Sequence, residues 1–297
     1  MKLYAPAYYQ KFACIANRCQ HSCCIGWEID VDEDTLAFYH ELDGDYAEEI
    51  RNSIAQEDVP HFVLDAHDRC PHLDSQGLCR IIKAFGDGAL CDICREHPRF
   101  YHRTPHGMEV GLGLSCEAAC RLVLDSDDFD CMIELEQLCA QPDPEAFDAT
   151  PLRAQIFALL RAPDLTHAQR LQRIANTFGT APTQHSDRVW RKLLAGLEYL
   201  DHAHLEAFAC YSSNPETPPT ATLLLTRALA YFVFRHCSDA ESLEDFRARL
   251  GLALFLERLL CSLIKKGADA YDAARIVSEE LEYSEDNTNT IRTVFLR

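Results

Sequence analysis

The placement of cysteine constrains this chain more than any other feature of its sequence. Four cysteines with the spacing C-x8-C-x11-C-x2-C lie between Cys70 and Arg99. A second group, with the spacing C-x4-C-x3-C-C, lies upstream between Cys14 and Cys24. Ten of the 15 cysteines fall at or before Cys120. We therefore expect the first part of the chain to be a module built around bound metal.

Whether so many cysteines indicate disulfides or metal ligation depends on the cellular compartment of the protein. The N-terminus has no apolar run of the roughly 7 to 15 residues that a signal peptide requires. The longest later apolar run, Ala228 to Phe234, is far short of the roughly 20 residues that cross a bilayer. The sequence therefore predicts a cytoplasmic protein without a membrane partner. In that reducing compartment an odd number of cysteines indicates metal ligation or free thiols, not a disulfide framework.

The spacing of the thiols leaves two kinds of metal open. Structural zinc usually shows two short C-x2-C pairs, and this chain has one such pair, Cys91 and Cys94. Irregular spacing with surplus thiols favours an iron–sulfur cluster held by four thiolates, 4Fe-4S, with zinc or mononuclear iron as the alternative. A turn over residues 74–77 lets Cys79 and the Cys91/Cys94 pair fold back towards Cys70. The candidate metal ligands are Cys19, Cys23, Cys24, Cys70, Cys79 and Cys94.

The composition and net charge of the chain limit the classes of partner that it is expected to bind. Hydrophobic residues make up 47% of the chain and charged residues 25%, as in ordinary globular proteins. The net charge of −19 repels phosphate backbones and argues against a nucleic-acid partner. The acidity either serves solubility alone or attracts a lysine-rich protein substrate.

The pattern of apolar residues changes after an acidic break at residues 125–128. We predict a mainly α fold with two domains: an irregular cysteine-rich metal module with short strands over residues 1–125, and an all-α helical bundle over residues 126–297. In the second domain, Thr166 and Ser242 are expected to cap helices that end near Gly179 and Lys266. The apolar run Ala228 to Phe234 is expected at the centre of the bundle.

Motifs for other chemistries are missing from the sequence. There is no G-x-S-x-G nucleophile elbow, no H-E-x-x-H zinc helix, no complete G-x-G-x-x-G loop and no C-x3-C-x2-C radical signature. Cys210, Cys237 and Cys261 lie in apolar helical surroundings and are expected to be core residues. No catalytic residue can be assigned from a motif, and Tyr8, Glu28 and Tyr101 are candidates only through their proximity in sequence to the cysteine groups.

The order of the cysteine motifs resembles one known family. The pieces are FACI at 12–15, CCIGW at 23–27, CPHL at 70–73, GLCRI at 77–81, CDICR at 91–95 and LGLSCEAA at 112–119. Together they resemble the flagellin lysine-N-methylase family, which is itself similar to a broader group of zinc- or iron-chelating proteins with clustered cysteines. The resemblance is close up to about residue 125, and beyond it YFVFRH at 231–236 is the best correspondence.

The resemblance implies a specific activity. It implies transfer of a methyl group from S-adenosylmethionine to lysine side chains of flagellin, with an iron–sulfur cluster required. The alternative that the residues leave open is a metal-chelating or redox-sensing binding module with no methyl transfer.

Overall fold

The computed structural model describes residues 2–135 and 145–296 and divides the chain into two compact units. Ala13–Pro98 forms the first, which we call the thiol unit. Met1–Phe12 and Arg99–Arg297 together form the second, which we call the helical unit. This division differs from the predicted boundary at residue 125, because the β-hairpin and helix that follow Pro98 belong with the later helices.

The thiol unit is built from short elements around a small apolar core. Its helices are α1 (Glu33–Glu41), α2 (Asp45–Asn52), α3 (Arg80–Phe85) and α4 (Asp92–Glu96), and its strands are β2 (Ile54–Ala55) and β3 (His61–Phe62), which pair antiparallel. Asp32 caps α1 by accepting a hydrogen bond from the Thr35 backbone N–H at 2.9 Å. Tyr39, Ile50, Phe62 and Ile81 form the core, against which several cysteines pack. So few apolar side chains leave this unit with a small core of its own.

The helical unit contains a sheet of four strands, β1 (Leu3–Pro6), β4 (Arg99–Thr104), β5 (Gly107–Leu112) and β6 (Met132–Leu135). Their order in the sheet is β4-β5-β1-β6. β4 and β5 form an antiparallel hairpin, whereas β1 runs parallel to β5 and antiparallel to β6. Because β6 lies after residue 125, the prediction of an all-α second domain was wrong in detail. The mainly α class is confirmed.

Nine helices within the described residues complete the helical unit. They are α5 (Glu117–Asp125), α6 (Thr150–Arg161), α7 (His167–Phe178), α8 (Asp187–Leu194), α9 (His202–Phe208), α10 (Thr222–Cys237), α11 (Leu243–Lys265), α12 (Ala270–Val277) and α13 (Glu285–Thr293). Thr166 and Gln169 form the capping box of α7, and Gly179 ends it in the left-handed conformation. Ser242 caps α11, as predicted. No helix within residues 2–135 and 145–296 is long and apolar enough to cross a membrane.

Helices α10 and α11 form the centre of the helical unit. The predicted apolar run Ala228 to Phe234 is buried throughout, and α11 is buried from Leu250 to Leu263. Trp190 of α8 packs on this centre, with its ring 4.8 Å from that of Phe255 and 5.3 Å from that of Phe295. The continuous apolar surface of α10 and α11 therefore excludes water from the polar side chains that the two helices and the sheet carry inward.

Candidate functional site

The backbone of the thiol unit brings five cysteines into one neighbourhood. The Cys70 N–H donates to the Cys24 carbonyl at 2.8 Å, which joins the two cysteine groups of the sequence. Cys79 lies immediately before α3, and Cys91 and Cys94 lie at the start of α4. The thiols of Cys24, Cys79 and Cys91 are close enough that their charges act on the Cys70 thiol. Folding thus gathers cysteines that are up to about 70 residues apart in the sequence.

Two of these thiols are paired with a second cysteine. The Cys94 thiol donates to Cys91, and this hydrogen bond lowers the pKa of Cys91. In the same way the Cys23 thiol donates to Cys24, which together with Ser22 and Arg69 lowers the pKa of Cys24 to about 7. Both hydrogen bonds favour the thiolate, which is the form of cysteine that binds metals and attacks disulfides.

The pKa of the Cys70 thiol is raised, unlike those of Cys24 and Cys91. Burial first, and then the negative charge of neighbouring thiolates, raise its pKa to about 12. Burial is also the main cause that raises the pKa of Cys79. Thiols in this state release a proton only when a cation offsets both effects, so metal binding by this group would release protons and depend on pH.

The arrangement of these side chains falls short of a metal site. Within residues 2–135 and 145–296, no group of three or more histidine, cysteine, aspartate or glutamate side chains is arranged to hold a metal ion. The soft thiol donors suit zinc or an iron–sulfur cluster, but their positions do not form a complete site. Cys91 is the buried member of the group, and the six candidate ligands omit it, although its C-x2-C spacing from Cys94 is visible in the sequence.

The remaining candidates of the sequence analysis are spread over the molecule. Cys19 is half-buried at the end of a 3-10 turn, Ala16–Arg18. Tyr8 is buried in the core of the helical unit, where burial raises its pKa far above the usual range. Glu28 and Tyr101 are exposed. Tyr8 and Tyr101 belong to the helical unit, whereas Glu28 belongs to the thiol unit.

A buried polar cluster lies between the β4–β5 hairpin and α10 in the helical unit. His102 of β4 is 5% exposed, and its Nδ1 lies 2.6 Å from Oδ2 of Asp239, which follows α10. Glu109 of β5 pairs directly with His102 across the hairpin. Its carboxylate accepts two hydrogen bonds from the Arg153 guanidinium, at 2.5 and 2.7 Å. We call these four side chains, with the rings of Phe100 and Phe234 against them, the hairpin cluster.

Phe100 occupies the middle of this region because Gly111 leaves room for its ring. A Cβ atom at Gly111 would lie 2.2 Å from Phe100 Cζ. The ring centroid of Phe100 is 5.1 Å from that of His102 and 5.7 Å from that of Phe234. The Arg235 guanidinium lies over the same ring, 4.6 Å from its centroid. A cation and an imidazole therefore share one aromatic ring in a water-poor environment.

Glu282 provides a second buried carboxylate next to the hairpin cluster. It accepts hydrogen bonds from the Tyr231 hydroxyl at 3.0 Å and from His236 Nε2 at 2.7 Å, and Arg235 Nε lies 3.4 Å away. Burial favours the neutral acid, but Arg235 and His236 hold the pKa of Glu282 below its ordinary value. Its position depends on a π-helical turn, Ser278–Glu282, which follows α12.

Several polar atoms of this region have no hydrogen-bond partner within the described part of the chain. They are His102 Nε2, Arg153 Nε, Arg235 Nη1 and Ser115 Oγ. An unpaired buried polar group costs about 1–3 kcal/mol, so folded proteins keep few of them unless they serve a function. Sequence inspection missed these residues because the 13 histidines show no motif, and His102 and Asp239 are 137 positions apart.

The helical unit also has a cavity with polar walls. Its volume is about 540 Å³, and its lining includes Thr180, His185, Glu244, Arg247 and Phe295. Charged, hydroxyl and aromatic groups thus face one space of a size that suits a small-molecule ligand. A shallower groove in the thiol unit is lined by acidic residues of α2, Asp45, Glu48 and Glu49.

Comparison with known proteins identifies the family. The chain is 30% identical over 134 residues to the Flagellar biosynthetic protein FliU of Salmonella muenchen, and the match covers 41% of this chain and 77% of that protein. The chain belongs to the flagellin lysine-N-methylase family. It is also 30% identical over 137 residues to the Lysine-N-methylase of Salmonella typhimurium and 33% identical to that of Salmonella choleraesuis.

The match to the full-length lysine-N-methylases is partial. It spans about a third of their length, 32% in both, and 41% of this chain. No family model matches the chain, and no solved structure is similar to it. The membership in the lysine-N-methylase family thus rests on the sequence similarity to these relatives.

Proposed function

We propose that this chain transfers methyl groups from S-adenosylmethionine to lysine side chains of flagellin. The observation that carries the proposal is the 30–33% identity to proteins named Lysine-N-methylase, together with 77% coverage of the flagellar protein FliU. The described cysteines form no disulfide, which suits the cytoplasm as the place of the reaction.

The chemistry sets one requirement that any such enzyme must meet. A lysine amine displaces a sulfonium methyl group only through its lone pair, so it must lose a proton first. Since the free lysine pKa is about 10.4, deprotonation at pH 7 costs about 4.6 kcal/mol. A site offsets this cost by burying the amine or by placing a proton acceptor next to it. In the helical unit the buried His102 and the Arg235 guanidinium both lie against the ring of Phe100.

We further propose that the thiol unit binds an iron–sulfur cluster through cysteines that include Cys24, Cys70, Cys79 and Cys94. The support is the soft donor set and the two cysteine pairs in which one thiol lowers the pKa of the other. Since the described thiols do not form a complete site, binding would have to draw them together, and the binding energy would stabilise this small unit. When bound, such a cluster would supply either a fold constraint or an open iron for a ligand.

The acidic surface supports a lysine-bearing protein substrate. The net charge of −19 attracts cations over about a Debye length, which is about 8 Å at physiological ionic strength. Association with flagellin is therefore expected to slow as salt is added, because the attraction acts mainly on the encounter rate.

The test is methylation by the purified protein. The chain is incubated with flagellin and S-adenosylmethionine, and the intact mass of flagellin is measured over time. The proposal predicts increments of one CH2 group that need both the chain and S-adenosylmethionine. Flagellin of unchanged mass, with a protein shown by elemental analysis to hold its metal, would overturn the proposal.

A metal-binding or redox module without methyl transfer is the second candidate function. It is favoured by the Cys91/Cys94 pair, because a C-x2-C pair with one lowered pKa is also the arrangement of dithiol redox centres. This function predicts that mild oxidation links Cys91 to Cys94 reversibly, whereas flagellin is left unmodified. Thiol mapping by mass spectrometry before and after reduction distinguishes the two.

A further inference from the structure

The His102–Asp239 pair of the hairpin cluster has an unused ring nitrogen. Nδ1 of His102 lies 2.6 Å from Oδ2 of Asp239, and Nε2 has no partner within residues 2–135 and 145–296. A carboxylate accepts hydrogen bonds only, so Nδ1 carries the proton that is donated to Asp239. In the neutral imidazole the lone pair is then on Nε2. The carboxylate fixes both the tautomer and the orientation of the ring.

The unpaired Nε2 distinguishes His102 from the other buried histidines. The His102 side chain is 5% exposed. Because its Nε2 is unpaired, the folded state is less stable than it would be with both ring nitrogens hydrogen-bonded. By contrast, the buried His167 of α7 has both ring nitrogens paired, with Thr226 at 3.1 Å and Glu257 at 2.8 Å. The Nε2 of His236 is hydrogen-bonded to Glu282. His72 of the thiol unit is also buried, and its ring nitrogens are paired with Tyr46 and Ser53. Among these four buried histidines, only the Nε2 of His102 is unpaired.

The charged groups around His102 come from each element that packs against it. Glu109 of β5 faces it across the hairpin but is held by both ends of the Arg153 guanidinium of α6. Arg235 of α10 shares the Phe100 ring and lies 3.4 Å from Glu282. Asp239 is the carboxylate bound to His102 itself, and its side chain is 44% exposed. The dyad therefore lies just below the surface, with a solvent-exposed carboxylate behind it.

We propose that His102 Nε2 accepts the proton of the target lysine ammonium, with Asp239 as its positioning residue. This inference rests on the proposed methyl transfer to lysine. The lysine Nζ–H bond breaks and its proton moves to Nε2, which leaves a neutral amine and an imidazolium paired with Asp239. The amine lone pair then forms the N–C bond to the methyl group of the sulfonium donor, and the S–C electron pair stays on sulfur. The imidazolium returns its proton to water through the exposed side of the dyad.

Substitution of His102 tests this role directly. A positioned general base contributes about 10² to 10⁴ in rate, so we expect kcat/KM for flagellin methylation to fall at least about a hundredfold in His102→Gln. Asp239→Asn, which keeps the shape of an exposed side chain, is expected to lower the rate while leaving flagellin binding unchanged. The matched control is His106→Gln, which removes the exposed partner of Asp148 at the tip of the same hairpin. Thermal unfolding of all three variants shows whether the fold is kept.

The pH profile separates a base from a structural residue. In the wild type, where a positioned base takes up the lysine proton, the rate should level off well below the lysine pKa. In His102→Gln it should rise without a plateau towards the lysine pKa of about 10.4, because the amine must lose its proton unaided. A peptide in which the target lysine is replaced by thialysine, whose amine is more acidic, should lose less activity in this variant. A folded His102→Gln with wild-type activity and pH profile would overturn the inference and leave the proposed function intact.

A spectroscopic measurement tests the dyad without any activity. The ¹⁵N signals of His102, assigned by their loss in His102→Gln, should show the proton on Nδ1 and the lone pair on Nε2. A doubly protonated ring would overturn the inference, because an imidazolium cannot accept the lysine proton. Failure of the wild type to methylate flagellin would instead overturn the proposed function and remove the reaction on which this role depends.

Discussion

Removing the carboxylate of Glu109 should destabilise the helical unit more than most single substitutions. Glu109 and Arg153 are 8% and 4% exposed, and two hydrogen bonds join them at 2.5 and 2.7 Å. In Glu109→Gln the guanidinium stays buried next to a neutral amide, with its charge uncompensated. Breaking a buried pair in this way typically costs about 3–5 kcal/mol. That is a large part of the 5–15 kcal/mol that stabilise an ordinary domain.

The matched control is Glu134→Gln in the same sheet. Glu134 pairs with Lys2 at 2.8 Å, but both side chains are at least half exposed, so water replaces the lost interaction. Urea unfolding is followed by the fluorescence of the buried Trp190, in a background where Trp27→Phe removes the other tryptophan. A double variant, Glu109→Gln with Arg153→Met, should recover much of the stability, because it removes the unpaired charge. Equal midpoints for Glu109→Gln and Glu134→Gln would refute the reasoning.

Two further predictions concern metal binding and pH. Cys79→Ser and Cys94→Ser should lower the iron content and the melting temperature of the thiol unit. Cys210→Ser in the helical unit should change neither. Equal iron in all three variants by elemental analysis would contradict this prediction. The hydrogen bond to Glu280 raises the pKa of His204 above its ordinary 6.5. The pair should therefore stabilise the fold fully below about pH 6.5 and lose its effect as pH rises through the raised pKa. In urea unfolding, His204→Gln should be less stable than the wild type at pH 6, and the difference should shrink at high pH. An equal loss of stability at both pH values would be inconsistent with this.

Helices with local signals were predictable from the sequence. Thr166 caps α7 through its hydroxyl and Gly179 ends it with φ +72°. Both act within one turn of the backbone, so the residue type alone reveals them. The buried centre of α10 was predictable for a similar reason, since a helix that is apolar on all sides has to be enclosed.

The sheet was not predictable in the same way. Strand β1, Leu3–Pro6, pairs with β5 and β6, which lie more than a hundred residues later in the chain. A short strand with partners so distant leaves no periodic signal, because long-range pairing decides its conformation. The division of the chain after Phe12 and Pro98 follows from this sheet, which ties the first residues to the hairpin after Pro98.

The cysteines could be recognised from the sequence, whereas the buried polar groups of the helical unit could not. The cysteines were visible because they recur at short spacings, and in the folded unit the thiols of Cys24, Cys79 and Cys91 act on that of Cys70. The His102–Asp239 dyad joins residues 137 positions apart. The π-helical turn that places Glu282 depends on the Tyr231 and His236 contacts of another helix. Neither site has a local sequence pattern, so only the folded chain reveals it.

The most direct test of methyl transfer uses S-adenosylmethionine with a deuterated methyl group. Flagellin is treated with the purified, metal-loaded chain, digested, and mapped by tandem mass spectrometry. The account predicts that the deuterated methyl appears on lysine Nζ, and that its yield rises with pH and falls with added salt. Peptides that carry no label, or carry it on residues other than lysine, would contradict the account.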